Sequence, residues 1–284
     1  NVFGRGLHGL HKPRSPIFVG DSGTTLRLLL GVLAGQDFKT KLVAGKSLSQ
    51  RPMLRVTQPL RMMGAEIKAR VKSKKSPPEA GPPTAEKVEE YPPITIRGGN
   101  LKPITYTMPV ASAQVKSAIM LAALYAKGKT RIIEDVPTRD HTERMLKLFK
   151  ARLKVKQNTI VIRGSNELVS PKKIYIPGDI SSAGFFLVLA AIIPNSKVVI
   201  RNVSLNPSRI GMIKVLKRMG ADIKVKSKKS KVKIGEPMGD IVVKSSSLKA
   251  TIVKKEEIPS VIDELPILMV AASLAKGRTI FEGV

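Results

Sequence analysis

The apolar positions of the chain are gathered in blocks, and a polar turn precedes each block. The clearest block is residues 115–125, VKSAIMLAALY, which follow the polar turn at residues 111–114. The length and alanine content of this block favour a buried helix over a strand. Gly128 is predicted to end the helix, and residues 130–133, TRII, are typical of a short strand.

The same order of polar turn, apolar helix, short turn and β-run occurs four times. Second helices in the first and third repeats both end in Met-Gly-Ala-Glu/Asp-Ile, which indicates internal duplication, with glycine as a helix C-cap. Each complete unit is predicted to be β-α-β-α-β-β, so the fold class is α/β (α+β), built from repeated units. The four repeats begin with residues 21–35, 112–128, 179–195 and 262–277.

Residues 73–93, SKKSPPEAGPPTAEKVEEYPP, interrupt this pattern with proline and charge. Such a composition predicts an exposed loop inserted in a hairpin, and the strand pattern resumes at residues 94–97. The best domain boundary lies near residues 177–179. We therefore predict two domains, residues 1–178 and 179–284.

Composition limits the chemistry that the chain can perform. The absence of cysteine excludes disulfides, a thiolate nucleophile and cysteine-based metal sites. There are three histidines and no helical His-x-x-x-His pair, which argues against zinc. No apolar run reaches the roughly 18 residues that a membrane span requires. We expect neither a metal nor a membrane partner.

The formal net charge is +29. Such a charge fits a protein that binds nucleic acid or another anionic surface, or an enzyme with lysine-rich loops and an anionic substrate. Lysines fall in turn-like runs such as residues 72–75 and 224–233, without interleaved aromatic residues. Because platforms for stacking bases are missing, we expect no nucleic-acid partner.

Two turns in the first repeat carry candidate anion-binding groups. In residues 20–25, GDSGTT, Gly23 lets backbone N–H groups approach an anion, and the following helix adds its dipole. The alternative is a plain turn with a Ser or Thr cap. Arg51, just before Pro52, can hold a carboxylate or phosphate by two parallel hydrogen bonds. The alternative is a cation that faces solvent.

Later helix starts offer further candidates. Ser112, Ala113 and Gln114 provide a hydroxyl, a backbone amide and a side-chain amide at one helix start, which can hold an anion or form an ordinary cap. Asp179, at the equivalent place in the third repeat, is predicted to be a cap or hinge residue. Whether Arg209 contacts an anion is left open.

A second set of candidates follows the β-runs. Arg139 can pair with a phosphate, or it can bridge to Asp140 or Glu143 in the same turn. His141 is predicted to be a structural hydrogen-bonding residue. Asp263, which precedes an apolar run, can serve as a general base or as an N-cap.

These motifs resemble, in order and along nearly the whole chain, the 5-enolpyruvylshikimate-3-phosphate synthase (3-phosphoshikimate 1-carboxyvinyltransferase) family. The resemblance implies two globular domains, each with three βαβαββ units about a pseudo-threefold axis. It also implies no metal or organic cofactor, a monomer and a cytoplasmic location. The motifs are GDSGTTLRLLLGVLAG, SLSQRPM, PVASAQVKSAIMLAALYAKG, TRDHTERM, PGDISSAGFFLVLAA, NPSR and IDELPIL.

The resemblance implies a reaction and its binding residues. The 5-hydroxyl of shikimate 3-phosphate adds to C2 of phosphoenolpyruvate while C3 gains a proton, and the tetrahedral intermediate then loses phosphate. By motif position, Gly23 and Arg51 contact phosphoenolpyruvate. Ser112, Ala113 and Gln114 hold shikimate 3-phosphate, and Gln114 reaches both ligands.

The remaining implied roles belong to Arg139, which meets the shikimate phosphate, and Asp263, which accepts the proton of the 5-hydroxyl. The family's N-terminal Lys-Ser and Arg stretch is missing, and so are its motifs downstream of the Asp263 helix. We therefore expect a fragment that lacks both ends, with a truncated first unit, an unfinished second domain and little or no activity alone.

Three competing hypotheses stay open at this point. The sister family, UDP-N-acetylglucosamine enolpyruvyl transferase, shares the fold, but most of its members use a loop cysteine that this chain lacks. A basic nucleic-acid-binding module would show salt-sensitive DNA binding without sequence preference. A degenerate pseudoenzyme is the third hypothesis.

Overall fold

The predicted repeats are visible as successive sheets and helices in a computed structural model of the protein, which describes residues 2–74, 87–164, 167–227 and 235–284. The strands are β1 Ile17–Phe18, β2 Lys39–Val43, β3 Glu66–Lys74, β4 Lys87–Arg97, β5 Thr105–Thr107, β6 Lys129–Ile133, β7 Arg152–Lys156, β8 Thr159–Arg163, β9 Lys197–Ser204, β10 Asp222–Ser227, β11 Met238–Lys244, β12 Ile252–Val253 and β13 Ile280–Phe281. The helices are α1 Gly23–Leu33, α2 Leu54–Met62, α3 Ala113–Ala123, α4 His141–Leu148, α5 Ile180–Ile192, α6 Gly211–Arg218, α7 Ile258–Val261 and α8 Leu265–Ser273.

The first two repeats form four-stranded sheets of the same topology, β1-β2-β4-β3 and β5-β6-β8-β7. In each sheet the first two strands are parallel and the others are antiparallel. The third repeat gives the order β9-β11-β10, and a parallel bridge from Gly178 to Val203 stands where the first strand would be. The predicted βαβαββ unit and the mixed α/β fold class are confirmed.

Local chemistry explains where the helices begin and end. The side chains of Ser22, Ser112 and Asp179 each accept a hydrogen bond from a backbone N–H in the first turn of α1, α3 and α5. The predicted cap role of Asp179 is therefore confirmed. Gly64 and Gly220 follow α2 and α6 with φ of +106° and +94°, a left-handed conformation that glycine adopts without steric cost.

Contacts between Cα atoms divide the chain into two compact units. The first unit contains the residues up to Pro137 together with Leu146–Pro171, and the second contains Thr138–Met145 together with Lys172–Val284. Each unit has its own aliphatic core. The domain limits 1–178 and 179–284 remain a prediction.

The core of the first unit is built around α3, which is buried along most of its length and packs against α1. Gly31 permits this contact, because a Cβ at that position would lie 2.3 Å from the backbone oxygen of Ala118. Lys116 is also buried in α3, and its Nζ lies 3.1 Å from Oε2 of the buried Glu134. The helix that sequence analysis predicts at the centre of the chain is therefore the centre of this core.

Replacing Gly31 with alanine is expected to destabilise the first unit by about 1–3 kcal/mol, because the added methyl group meets backbone that cannot rotate away. This cost exceeds the gain in helix propensity, about 0.5–1 kcal/mol. Urea unfolding measures the difference. The control is Gly4→Ala, since a Cβ at Gly4 meets nothing within 4 Å. Equal stability of the Gly31 variant and the unmodified chain would contradict the close helix packing.

The segment predicted as an inserted loop, residues 73–93, is partly strand. Residues 75–86 lie outside the described residues, but β3 continues to Lys74 and β4 begins at Lys87 rather than at Ile94. The register of β3 against β4 shifts between Ala69 and Arg70, and this bulge accommodates the prolines of β4. The Glu90 side chain is buried and pairs with Arg61 at 2.8 Å, so the strand is anchored by side chains as well.

Candidate functional site

The turn before α1 is tied to the segment that carries Arg51. Asp21 Oδ1 accepts a hydrogen bond from the backbone N of Leu48 at 2.8 Å, and Gly45 N donates to Gly20 O at 2.7 Å. A 3₁₀ turn, Leu48–Gln50, follows and leads directly to Arg51, whose side chain is exposed. The bonds explain how two motifs separated in sequence come to lie side by side.

Gln114 joins the start of α3 to α1. Its Nε2 donates to Thr24 Oγ1 at 2.7 Å, and its Oε1 accepts from Arg27 Nη1. Arg27 also lies against Gly23, since a Cβ on Gly23 would sit 3.1 Å from Arg27 Nη1. The glycine turn, the amide and the guanidinium therefore form one polar cluster at the N-terminal ends of two helices.

Positive charge accumulates beside this cluster. Burial lowers the pKa of Arg27, and the charges of Arg51 and Arg55 lower it further. None of these three arginines forms an ion pair with a carboxylate within the part of the chain that the structure describes. Mutual repulsion of this kind is relieved when an anion binds between the cations, so the cluster is suited to a negatively charged ligand.

Five of the seven predicted site residues lie in the first unit. Gly23 and Gln114 belong to the polar cluster, and Arg51 adds to its charge. The Ser112 hydroxyl caps α3 by accepting from Val115 N at 3.4 Å, and Ala113 is the first residue of that helix. The hydrogen bond thus confirms that Ser112 caps the helix, and its role in substrate binding stays a prediction.

The other two predicted residues, Arg139 and Asp263, pair with each other in the second unit. Arg139 Nη2 lies 2.6 Å from Asp263 Oδ2, and the neighbouring Asp140 pairs with Arg144 instead. The alternative of an Arg139–Asp140 bridge is therefore wrong. The N-cap alternative for Asp263 is also wrong, because Glu264 occupies the N-cap position of α8.

Arg209 is the second cation on Asp263. Its side chain is mostly buried, and Nη1 lies 3.3 Å from Asp263 Oδ2. Arg209 Nη2 donates to Ser181 Oγ and lies 3.5 Å from Glu264 Oε1. Arg209 thus pairs with the Asp263 carboxylate and, through Ser181, links it to the start of α5. Asp263 itself remains 46% exposed, which leaves a carboxylate that is oriented and still accessible.

The start of α5 shares this network through Asp179. Burial raises the pKa of Asp179, but hydrogen bonds from Ser182 and Ser181 and the charge of Arg209 outweigh it, so its pKa lies below the ordinary value. Asp179 is therefore a cap that stays ionised and faces Arg209 at 3.6 Å.

A separate polar group surrounds His141. His141 Nδ1 lies 2.7 Å from Glu236 Oε1, and Asn206 Nδ2 donates to Asp140 Oδ1 and Glu236 Oε2. The predicted structural role of His141 is confirmed. Burial raises the pKa of Asp140, yet hydrogen bonds from Arg144 and Asn206 outweigh it and lower the pKa below its usual value.

Asp140 should make the stability of the second unit depend on pH. A carboxyl group whose pKa is lower in the folded than in the unfolded chain stabilises the fold. This contribution is complete at pH values above the pKa in the unfolded chain, about 3.9, and it is lost as the pH falls through the pKa in the folded chain. The stability difference between the unmodified chain and Asp140→Asn should be constant above about pH 5 and shrink at lower pH. Urea unfolding at several pH values measures it. Asp37→Asn, at an exposed position, is the control, and a difference independent of pH would contradict the pairing.

Several residues of these clusters were not predicted. Arg27 lies four positions after Gly23 and therefore on the same helix face, a spacing that could have identified it. Arg55 could not have been identified in this way, because Arg51 lies in extended backbone before α2 begins at Leu54. Glu264 has no such pattern, since its partners Ser181 and Arg209 are distant in sequence.

The part of the chain that the structure describes has neither a helix suited to crossing a membrane nor a cluster of metal-binding side chains. Within the described ranges, none of the helices combines the length and apolar character that crossing a membrane requires. The same residues contain no group of three or more His, Asp or Glu side chains placed to hold a metal ion.

Comparison with known proteins identifies relatives over the whole chain. A sequence profile of the EPSP synthase (3-phosphoshikimate 1-carboxyvinyltransferase) family matches residues 2–284. A Geobacillus kaustophilus protein named 3-phosphoshikimate 1-carboxyvinyltransferase is 48% identical over 281 residues, 99% of this chain and 61% of that protein. A protein of the same name from Petrotoga mobilis is 48% identical over 279 residues, 98% of this chain and 60% of that protein.

Solved structures give the same result. EPSP synthase from Acinetobacter baumannii superposes with a TM-score of 0.81 at 43% identity, over 98% of this chain and 58% of that chain. A second structure of EPSP synthase from this organism has a TM-score of 0.81 at 44% identity. The chain thus spans about 60% of the length of the curated relatives it matches.

Proposed function

This chain belongs to the EPSP synthase family, and from that premise we propose that it acts in transferring the enolpyruvyl group of phosphoenolpyruvate to the 5-hydroxyl of shikimate 3-phosphate. The hydroxyl oxygen bonds to C2 of phosphoenolpyruvate, its proton passes to a base, and C3 takes up a proton. The C2–O bond to phosphate then breaks while C3 gives up a proton. The reaction serves the shikimate pathway to chorismate and aromatic amino acids.

The arginine cluster beside α1 carries this proposal. Phosphoenolpyruvate has a carboxylate and a phosphate, and Arg27, Arg51 and Arg55 supply cations without carboxylate partners among the described residues. Gly23 permits close approach of the α1 backbone, whose N-terminal N–H groups favour anions. Gln114 presents an amide to the same place. We assign Gly23, Arg51 and Gln114 to phosphoenolpyruvate, with Arg27 as an added charge.

In the first unit, shikimate 3-phosphate is assigned to the start of α3, and in the second unit Arg139 is assigned to a phosphate group. Ser112, Ala113 and Gln114 offer a hydroxyl, a backbone N–H and an amide within one turn. Arg139 has guanidinium donors beyond the one that contacts Asp263, so it can bind a phosphate and keep that ion pair. This assignment gives Gln114 a contact with both substrates.

Asp263 is assigned as the base that takes the 5-hydroxyl proton. General bases need a fixed orientation as well as accessibility. Arg139 and Arg209 fix one oxygen of Asp263, at 2.6 and 3.3 Å, while the side chain stays partly exposed. Arg209 acts through Asp263 and is therefore a positioning residue.

We propose that the enzyme is a monomer in the cytoplasm and needs neither metal nor organic cofactor, because the bond changes above are proton transfers and addition–elimination at an activated enol. Sedimentation at several concentrations and activity in the presence of a chelator test these statements. Self-association or loss of activity with chelator would contradict them.

A chimera tests the proposed activity. This chain would replace the 281 matched residues of the Geobacillus kaustophilus relative. In a bacterium that lacks the endogenous activity, the chimera is expected to restore growth without aromatic amino acids. The intact relative is the positive control, and the chain expressed alone tests the expectation of little activity. A soluble chimera that does not restore growth would contradict the proposal.

A further inference from the structure

The outer face of the second sheet carries an unusual concentration of positive charge. It forms a depression of about 820 Å³ across β6, β7 and β8, and no carboxylate lines it. None of its cations forms an ion pair with a carboxylate among the residues that the structure describes. The cations of this basic sheet face are Lys129, Arg131, Arg152, Lys154, Lys156 and Arg163.

The strand register places like charges directly opposite one another. Arg163 on β8 is paired with Lys129 on β6 and with Arg152 on β7, so three cations form one row across three strands. Directly opposed side chains in an antiparallel pair have Cβ atoms about 4.5–5.5 Å apart, and like charges there destabilise the sheet. The row therefore costs stability unless an anion lies on it.

The other repeats avoid this cost at the same position. In the first repeat the row is Lys39, Arg97 and Glu66, and an acid thus balances two cations. In the third repeat the row is Lys197, Lys244 and Asp222, with Lys244 Nζ 3.9 Å from Asp222 Oδ2. Only the second of these three duplicated units has an arginine, Arg152, where the others have an acid.

The spacing of the cations suits an extended ligand with many phosphates. Three strands and alternate residues give a patch of about 10 Å by 13 Å. Each strand of a nucleic-acid duplex carries about one phosphate charge per 3.4 Å of the helix axis, or about four over 13 Å, so a row of phosphates fits six cations better than a single small phosphate does.

We propose that the basic sheet face binds the phosphate backbone of double-stranded nucleic acid without sequence preference. The lysine-rich runs have no interleaved aromatic residues on which bases could stack, and the sequence therefore predicts no nucleic-acid partner. Contacts to the phosphate backbone of a duplex, however, need no base stacking. Arginine guanidinium groups are well shaped for phosphate oxygens. This binding is separate from the proposed enzymatic reaction, because it uses none of the residues assigned to the substrates.

Fluorescence anisotropy with a labelled 20-base-pair duplex tests the proposal on the chain as it is. A plot of log affinity against log salt concentration should have a slope of about −5 if all six cations contact phosphate. Replacing Arg131, Arg152 and Arg163 with glutamine should lower affinity about 10–500-fold at 0.1 M salt and reduce the slope by about 3. Absence of binding, or an unchanged slope in the variant, would overturn the proposal.

A single substitution separates binding from folding. Arg152→Glu restores the charge pattern of the other repeats, so it should raise the thermal unfolding midpoint while it weakens duplex binding. The matched control is Lys68→Glu on β3, an exposed position with the same change in net charge. Equal loss of affinity in both variants would show that the overall charge of the protein attracts the duplex, and it would overturn the proposed site. Tight binding to vesicles with 30% phosphatidylserine but none to the duplex would overturn the choice of partner.

Discussion

Replacing Asp263 with asparagine should lower kcat of the purified chimera by about 10²–10⁴-fold, the usual contribution of a general base. Asparagine keeps the size of the side chain and can still contact Arg139, but it cannot take the proton of the 5-hydroxyl. The effect should therefore fall on kcat, with KM for shikimate 3-phosphate changed far less. Phosphate release at saturating concentrations of both substrates measures it.

The matched control for this prediction is Asp222→Asn, an exposed aspartate of the same unit, which should leave kcat unchanged. Arg209→Lys provides a second comparison. It should lower kcat less than the loss of Asp263, because lysine retains a cation but not the fork that bonds Ser181 and Asp263 together. An Asp263→Asn enzyme with near-normal kcat would exclude Asp263 as the base.

Replacing Lys116 with methionine should destabilise the first unit by about 3–5 kcal/mol, because it removes the cation from a buried carboxylate. Lys116 and Glu134 are 1% and 5% exposed, so water cannot take over the role of the partner. Urea unfolding gives the free energy. Lys127→Met, at an exposed position, is the control and should change stability by less than about 0.5 kcal/mol.

The double variant Lys116→Met, Glu134→Leu distinguishes charge burial from packing. If the cost of the single change comes from a buried carboxylate that has lost its cation, removal of both charges should recover most of the lost stability. A double variant that is as unstable as the single one would show that the ion pair itself, or its shape, holds the core together. A stable single variant would contradict the prediction outright.

Much of the fold was predictable because its rules are local. Caps such as Ser22 and Asp179 and terminal glycines such as Gly64 act within a few residues, so the start and end of the repeated helices follow from sequence. The strand at Lys87 was missed because its prolines argue for a loop. Only the pairing with β3, and the bulge that accommodates the prolines, makes a strand possible there.

The site was less predictable, since its contacts join distant parts of the chain. Arg209 and Asp263 are 54 positions apart, and neither has a spacing that points to the other. Arg139 has a carboxylate as its immediate neighbour, and sequence favours that local partner. Lys116 is a charged residue within an apolar run, and only the folded structure shows that Glu134 is its partner. Long-range charge pairing is a property of the folded chain.

The caps of the three duplicated helices differ in whether they retain a proton. A cap uses a lone pair of its oxygen, so the hydroxyls of Ser22 and Ser112 each keep a hydrogen, and Ser22 Oγ lies 2.8 Å from Thr25 Oγ1. The ionised carboxylate of Asp179 has none, and its charge repels anions from the start of α5. Under the proposed substrate assignment, this exchange of one capping oxygen for another lets the starts of α1 and α3 donate a hydrogen bond to a phosphate, which the start of α5 cannot do through its cap.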